Sequence, residues 1–235
     1  MSSLSEAFLT SVQLIISADP DLYEIIFLSM RITLSAVAIA CLIGFPLGAA
    51  LAVLRFPGRG TLIVLVNALM GLPPVVVGLT VYLLLSATGP FGPLRLLYTP
   101  AAMIAAQTIL VTPIVVALTR QTIAELDREY DETLRAMHAS RIDTIGTLLW
   151  DARFQLMTAS LAGLGRALAE VGAVMIVGGN INHATRVMTT SIALETAKGE
   201  LSMALALGII LVSLTIAINA SAFLLNSLLE QRVYA

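Results

Sequence analysis

Residues 32–54 read ITLSAVAIACLIGFPLGAALAVL, twenty-three residues without a charged side chain. A helix of about 20 apolar residues is long enough to cross the hydrocarbon core of a bilayer, which is about 30 Å thick. Because the backbone must satisfy its own hydrogen bonds inside lipid, a run of this length predicts a transmembrane helix.

The same pattern recurs four more times along the chain. The further apolar runs cover residues 62–86, 101–118, 156–177 and 201–225. Hydrophobic residues make up 58% of the 235 residues and charged residues only 12%, a composition outside the range of water-soluble domains. We therefore predict an all-α, polytopic membrane protein whose five transmembrane helices form one domain over residues 22–230.

The N-terminal segment, residues 1–21, is predicted to lie in the membrane interface. Leu4, Phe8, Val12 and Ile15 follow helical spacing and predict a short amphipathic helix, which is too short to cross the bilayer. No basic segment precedes the first span, so a cleaved signal peptide is not expected.

The longest charged stretch, residues 120–153, contains five arginines and is predicted to face the cytoplasm. Basic residues concentrate in the cytoplasmic loops of membrane proteins. With five spans, this orientation places the N-terminus outside and the C-terminus in the cytoplasm. It also places Arg55 and Arg59 inside, whereas Arg186 and Lys198 fall outside and agree least with the rule.

Enzyme signatures are missing from the sequence. It contains no G-x-x-x-x-G-K-[ST], H-E-x-x-H, C-x-x-C or G-x-S-x-G pattern. Without a P-loop, the chain is expected to have no ATPase site of its own and not to be an enzyme. With two histidines and one cysteine, we expect no metal site and no directly bound cofactor.

The most specific motif lies in the charged stretch, where residues 132–140 read ETLRAMHAS and residues 148–151 read LLWD. Residues 131–140 predict a short amphipathic helix whose Leu134 and Met137 protrude into a groove on a partner protein. The alternative is an ordinary charged hairpin. The residues of this predicted helix that are candidates for partner contact are Asp131, Glu132, Leu134, Arg135, Met137, His138, Ala139 and Ser140.

This motif resembles the EAA loop of ABC importer permeases. The family pattern places a glutamate and an isoleucine sixteen residues apart, and Glu132 and Leu148 keep that spacing. Thr133 and Leu134 stand where the pattern has alanines, and His138 stands where it has glycine. In that family the loop forms a coupling helix that docks on the ATPase subunit, so the resemblance implies an ATPase-coupling role for these residues.

Four further segments are similar to molybdate and tungstate permeases. They read MGLPPVVVGL at residues 70–79, TGPFGPL at 88–94, RALAEVGA at 166–173 and GGNI at 178–181. The resemblance implies the MetI-like permease fold of type I ABC importers, most similar to the tungstate-specific branch.

The same resemblance implies partners and a mechanism. We expect a homodimer in the cell inner membrane, with two cytoplasmic ABC ATPase subunits that use the ATP and an external substrate-binding protein. The cargo is expected to be an oxyanion, tungstate first, moved by alternating access. Molybdate, sulfate or another small ligand remain alternative cargoes. An ATP-independent channel or carrier and a membrane-embedded enzyme are the competing classes.

Two features inside the predicted spans are candidates for a role in transport. Pro73 and Pro74 remove two backbone donors within the second span and predict a kink, with Gly71 and Gly78 beside it. Such a kink is either a gating hinge or a fixed bend.

Arg166 and Glu170 lie four residues apart in the fourth span and are predicted to form an intramembrane ion pair on one helix face. The pair is interpreted as a brace against the coupling loop or the second protomer, as a structural pair, or as an oxyanion ligand. Glycine and alanine at four-residue spacing, at Gly44 and Gly48 and again around Gly163, predict close helix packing.

Overall fold

The computed structural model describes residues 9, 12, 13, 16, 17 and 20–234, and the ordered secondary structure among them is helical. Most of the predicted interfacial segment, residues 1–21, lies outside the described residues. The helices are α1 (Pro20–Val53), α2 (Arg59–Leu69), α3 (Pro74–Leu85), α4 (Pro100–Ala136), α5 (Arg141–Asp151), α6 (Arg153–Leu168), α7 (Gly172–Gly178), α8 (Met188–Lys198) and α9 (Leu201–Tyr234), with a 3-10 turn at Gly92–Leu94. The predicted all-α class is confirmed.

Three helices, α1, α4 and α9, are long and apolar enough to cross a membrane. The count rises to five when α2 with α3, and α6 with α7, are each taken as one broken span. The five predicted apolar runs therefore correspond to three continuous helices and two interrupted ones.

The helices continue past the ends of the predicted apolar runs. α1 begins at Pro20 and includes Arg31, whereas the apolar run starts at residue 32. α4 continues from its apolar part through the charged residues as far as Ala136. Hydropathy marks the lipid-compatible part of a helix, but backbone hydrogen bonding does not stop at the membrane surface. The predicted long loop over residues 120–153 is thus largely helical.

The chain divides into two compact units. The first contains the described part of Met1–Ser35, Pro73–Gln107 and Leu168–Asn219, and the second contains Ala36–Leu72, Thr108–Ala167 and Ala220–Ala235.

The core of the first unit joins α1, α8 and α9. Leu22, Met188 and Leu207 are almost fully buried there. The hydroxyl of Ser29 accepts a hydrogen bond from the N–H of Met188 at 2.8 Å and donates to the carbonyl of Ile25 at 2.7 Å. A buried polar group is thereby satisfied, and the start of α8 is fixed on α1.

The core of the second unit joins α1, α4, α5 and α6. Val53, Ile123, Leu148 and Leu156 are buried against one another in it. This cluster covers the inner face of α5, so α5 is anchored by packing as well as by its connections.

Small residues bring α1 and α6 close to α4 within the second unit. A Cβ atom at Gly44 would lie 2.7 Å from Cγ1 of Val115, and one at Gly48 would lie 2.7 Å from Cβ of Thr119. A Cβ at Gly163 would lie 2.8 Å from a methyl group of α4. The predicted packing role of these glycines is confirmed, because no larger side chain fits without a shift of the helices.

Candidate functional site

Residues 131–140 do not form a separate helix, so that prediction is wrong. α4 runs through the first part of this segment and ends in a turn. The N–H of Ala139 donates to the carbonyl of Leu134 at 3.0 Å, and the N–H of His138 donates to the carbonyl of Arg135 at 3.0 Å. This pair of bonds is a Schellman motif, the usual way in which the last carbonyls of a helix are satisfied.

His138 is the residue at which α4 stops. Its φ is 52°, in the left-handed region, which costs a residue with a Cβ about 1–2 kcal/mol. Glycine adopts this conformation without that cost. The EAA pattern has glycine at this position, and the turn supplies the physical reason.

α5 begins directly after this turn with a capping box. The N–H of Asp143 donates to the Ser140 hydroxyl at 3.2 Å, and the N–H of Ser140 donates to the Asp143 carboxylate at 3.3 Å. These bonds satisfy donors that the first turn of a helix leaves open. Two well-defined helix ends therefore meet at residues 137–140.

The turn and the start of α5 expose two large apolar side chains. Met137 is 73% exposed and Ile142 is 81% exposed. Leu134, by contrast, is half-buried and packs against the core of the second unit, so the prediction that it protrudes is wrong. Ile142 was not predicted, although the Ser140-x-x-Asp143 capping pattern could have located the helix that presents it.

Charged residues surround the same turn. The guanidinium of Arg135 lies 2.9 Å from the carboxylate of Asp131 one turn earlier, and Glu132 and His138 are exposed. A polar cleft of about 130 Å³ lies here, which is well below the roughly 300 Å³ at which small-molecule pockets begin. Its size and the exposed apolar residues favour contact with a protein over binding of a small molecule. The residues that line the cleft are Asp127, Asp131, Leu134, Arg135, Ala139, Arg141 and Thr144.

The predicted kink at Pro73 and Pro74 is a complete helix break. α2 ends at Leu69, and α3 begins at Pro74 with Pro73 before it in extended conformation. Proline fits the first turn of a helix because its missing N–H would have no partner there.

Gly78 has a packing role in α3. A Cβ added at Gly78 would lie 2.7 Å from the Cα of Ala173 in α7, so α3 and α7 touch through their backbones. At Gly71 the nearest atom would be the carbonyl oxygen of Ala68 at 3.5 Å, an ordinary contact.

Arg166 and Glu170 do not share one continuous helix. α6 ends at Leu168, and Glu170 lies in the break before α7. The Glu170 side chain is buried, and its Oε1 accepts a hydrogen bond from the N–H of Ala173 at 2.9 Å. The helical spacing used for the prediction therefore does not apply, and the ion pair itself stays a prediction.

The loop between α7 and α8 is held by polar side chains that were not predicted. Thr185 is fully buried; its hydroxyl donates to the carbonyl of Gly178 and accepts from the N–H of Ile181 at 3.0 Å. Thr190 donates to the side-chain oxygen of Asn180 at 2.9 Å. Polar residues that hold a loop together do not recur at a regular spacing in the sequence. An analysis of hydropathy therefore could not identify them.

The same loop is tied to the start of α1 by an ion pair. Nδ1 of His183 lies 2.7 Å from the carboxylate of Glu24. The hydrogen bond to Glu24 and its negative charge raise the pKa of His183, and the charge of Asp21 adds to this effect, while Arg186 and partial desolvation act against it. Ligand-type atoms of Asp21, Glu24 and His183 lie within 4.8 Å of one another, and all three residues are exposed.

Known proteins resemble this chain over most of its length. A tungstate uptake system permease protein, TupB, from Peptoclostridium acidaminophilum is 39% identical over 94% of this chain and 96% of its own length. A probable anion ABC transporter permease protein from Haloferax volcanii is 37% identical, with 85% and 88% covered. A sulfate transport system permease protein, CysT, from Salmonella typhimurium is 28% identical, with 76% and 67% covered.

The family model described as "binding-protein-dependent transport system inner membrane component" matches residues 44–234. That range includes the turn at His138, the capped start of α5 and both helix breaks. The chain therefore belongs to the family of binding-protein-dependent transport system inner membrane components.

Proposed function

We propose that this chain is the permease subunit of an ABC importer that carries tungstate across the cytoplasmic membrane. The observation that carries the proposal is the 39% identity to a tungstate uptake permease over nearly the whole of both chains. The tungstate uptake permease of Campylobacter jejuni is also 39% identical, over 66% of this chain. The sulfate permease CysW of Escherichia coli is only 27% identical over 72%.

Metal uptake in cells tests the cargo. Cells that lack the chain are grown with equal concentrations of tungstate and molybdate, and both metals are measured by mass spectrometry. Tungsten should fall and return on complementation, while molybdenum changes little. Unchanged tungsten with a loss of molybdenum or sulfate uptake would assign another oxyanion.

The proposed assembly is a homodimer with two cytoplasmic ATPase subunits and an external binding protein. The residues that the structure describes contain up to five candidate spans, and the sequence has no P-loop, so a separate subunit would hydrolyse the ATP. Because five spans enclose little volume, a central pathway is more easily built between two copies around a two-fold axis. Native mass spectrometry of the purified complex should give two copies of the permease and two of the ATPase; a single permease copy would contradict the homodimer.

The proposed orientation has the N-terminus outside and the C-terminus in the cytoplasm. It rests on the five arginines of residues 120–153 and the bias of basic residues toward the cytoplasm. Green fluorescent protein fused after the last residue should be fluorescent, and alkaline phosphatase at the same position should be inactive. The reverse pattern would invert the topology.

The proposed contact with the ATPase is the turn between α4 and α5. Met137 and Ile142 are exposed there, and apolar anchors presented at a helix end fit a groove on a partner. The double variant Met137→Asp, Ile142→Asp should lose co-purification with the ATPase. Leu94→Asp, another exposed apolar residue in a different loop, is the matched control and should retain it. If the double variant and the control both co-purify with the ATPase, the turn is not the contact with the ATPase.

Alternating access is proposed to use the helix break at Pro73 and the region of Arg166 and Glu170. Glu170 is buried beside the break between α6 and α7, where a change of charge is costly. Glu170→Gln should impair assembly or transport. Wild-type tungstate uptake together with wild-type stimulation of the ATPase would exclude this role.

A further inference from the structure

An apolar groove opens on the surface of the second unit between α1 and α6. Its volume is about 470 Å³, and Leu42, Phe45 and Met157 line it. Arg153 and Ser160 also line it. These two residues are seven positions apart on α6, so the groove extends roughly 10 Å along that helix.

One end of the groove carries a positive charge. The Arg153 guanidinium lies 5.0 Å from the centre of the Trp150 ring and 4.5 Å from that of Phe154. It donates one hydrogen bond, to the carbonyl of Trp150 at 2.8 Å, and pairs with no carboxylate in the described part of the chain. An arginine has five N–H donors, so this side chain can still bind an anion.

The exposed Trp150 favours a position of this end of the groove at the membrane surface. Trp150 is 73% exposed and lies in the last turn of α5, just before the junction with α6. Exposed tryptophans concentrate at the level of lipid headgroups, where one side of the ring meets hydrocarbon and the other meets water. From Arg153 the groove runs along the apolar helix α6, toward the hydrocarbon.

We propose that this groove binds one anionic phospholipid of the surrounding membrane. An acyl chain lies between α1 and α6, and the phosphate meets the guanidinium of Arg153. Basic pockets between transmembrane helices recognise anionic headgroups in this way. The combination of an elongated apolar groove and a single cation at its interfacial end matches a lipid and not a soluble anion. The proposal depends on membrane residence and not on the cargo or the ATPase.

The chain contains one tryptophan, and it lies beside the proposed headgroup site, so its fluorescence reports on the bound lipid. The full chain is purified in micelles of a zwitterionic detergent and titrated with phosphatidylglycerol brominated near the headgroup end of its acyl chains. Brominated phosphatidylcholine is titrated in parallel, and each curve is normalised to the unbrominated lipid. Half-maximal quenching should need about fivefold less of the anionic lipid, the effect of one basic residue at an anionic surface.

Three variants separate the site from general electrostatics. Arg153→Gln should abolish the preference for the anionic lipid. Arg141→Gln removes an equivalent exposed charge from the start of α5 and should keep it. Ser160→Phe fills the groove while leaving Arg153 in place, and it should reduce quenching by both lipids.

Each contrary result overturns the proposal. Equal quenching of the wild-type protein by both lipids would show that the groove has no site for an anionic headgroup. An equal effect of Arg141→Gln and Arg153→Gln would show that the preference comes from the general surface charge and not from Arg153. No quenching by either lipid would indicate that a second copy or another protein covers the groove. Unchanged quenching in Ser160→Phe would show that the lipid that reaches Trp150 does not occupy the groove.

Discussion

Ser140 and Asp143 cap α5 reciprocally, and the Ser140 hydroxyl donates to the Asp143 carboxylate at 2.6 Å while it accepts from the Asp143 N–H at 3.2 Å. The bonds define the first residue of α5 and hence the position of the exposed Ile142. A substitution of either residue should therefore destabilise the start of α5, and it should affect the binding of a partner only through that change.

Ser140→Ala should lower the stability of the protein by about 1 kcal/mol, because it removes the acceptor for a helix N–H. The thermal midpoint of the protein purified in detergent should fall by roughly 2–4 °C. Ser140→Asn, which can also cap a helix, should restore most of the loss. An equal loss in both variants would show that the cap is not the stabilising element.

His138→Gly should stabilise the chain by about 1 kcal/mol, because glycine adopts the left-handed conformation without strain. Thr133→Gly, five positions earlier inside α4, is the matched control and should destabilise by about 0.3 kcal/mol, the difference between the helix propensities of the two residues. The two thermal midpoints should therefore move in opposite directions. A decrease in both would contradict the assignment of His138 as the residue that ends α4.

Gly78→Ala should reduce folding and tungstate uptake together, since its Cβ would lie 2.7 Å from the backbone of Ala173 and α3 would have to move away from α7. Gly165→Ala is the control, because a Cβ there meets nothing within 4 Å. It should leave stability unchanged or raise it slightly. The amount of folded protein in the membrane and its thermal midpoint measure both effects.

The bond between His183 and Glu24 should make stability depend on pH. The pKa of His183 is raised above its ordinary value of 6.5 by Glu24, so its contribution is complete below that value and is lost as the pH rises through the raised pKa. The thermal midpoint of the wild type should exceed that of Glu24→Gln by most at a pH well below 6.5. The two should converge at alkaline pH.

Asp21 and Arg186 also face His183, so a control must remove the imidazole itself. In a His183→Asn background, Glu24→Gln should have no pH-dependent effect. A difference between wild type and Glu24→Gln that is the same at every pH would show that protonation of His183 is not involved.

Hydropathy predicted the apolar part of each span and missed where the helices end. Three of the five apolar runs fall on the continuous helices α1, α4 and α9, because lipid selects for apolar side chains over a fixed length. The charged residues after 118 remain helical in α4, since they are good helix formers and lie outside the lipid. The break between α6 and α7 was missed because the segment contains no proline and stays largely apolar across it.

The candidate site was only partly described by the sequence. The spacing from Glu132 to Leu148 pointed to the segment in which α4 ends and α5 begins, but a helical period could not reveal that α4 stops at His138. The one sequence signal for the left-handed backbone conformation of His138 is that the EAA pattern has glycine at this position. Leu134 was predicted to be exposed and is half-buried, whereas Ile142 was not predicted and is exposed. The reason is that Leu134 lies near the end of α4 and Ile142 at the start of α5, and these two helix ends expose different faces.

The unbroken course of α4 has a mechanical consequence. Pro113 is the one proline inside this helix, so the stretch from Val115 to the turn after Ala136 contains no residue that interrupts the helical hydrogen bonds. Farther along α4, Gly163 and Gly44 pack tightly against it. A Cβ added at Gly163 would lie 2.8 Å from a methyl carbon of Val111, and one added at Gly44 would lie 2.7 Å from a methyl carbon of Val115. If a partner pushes on the turn, as proposed, this part of α4 would move as one rigid rod and would carry the displacement to the glycine contacts with α1.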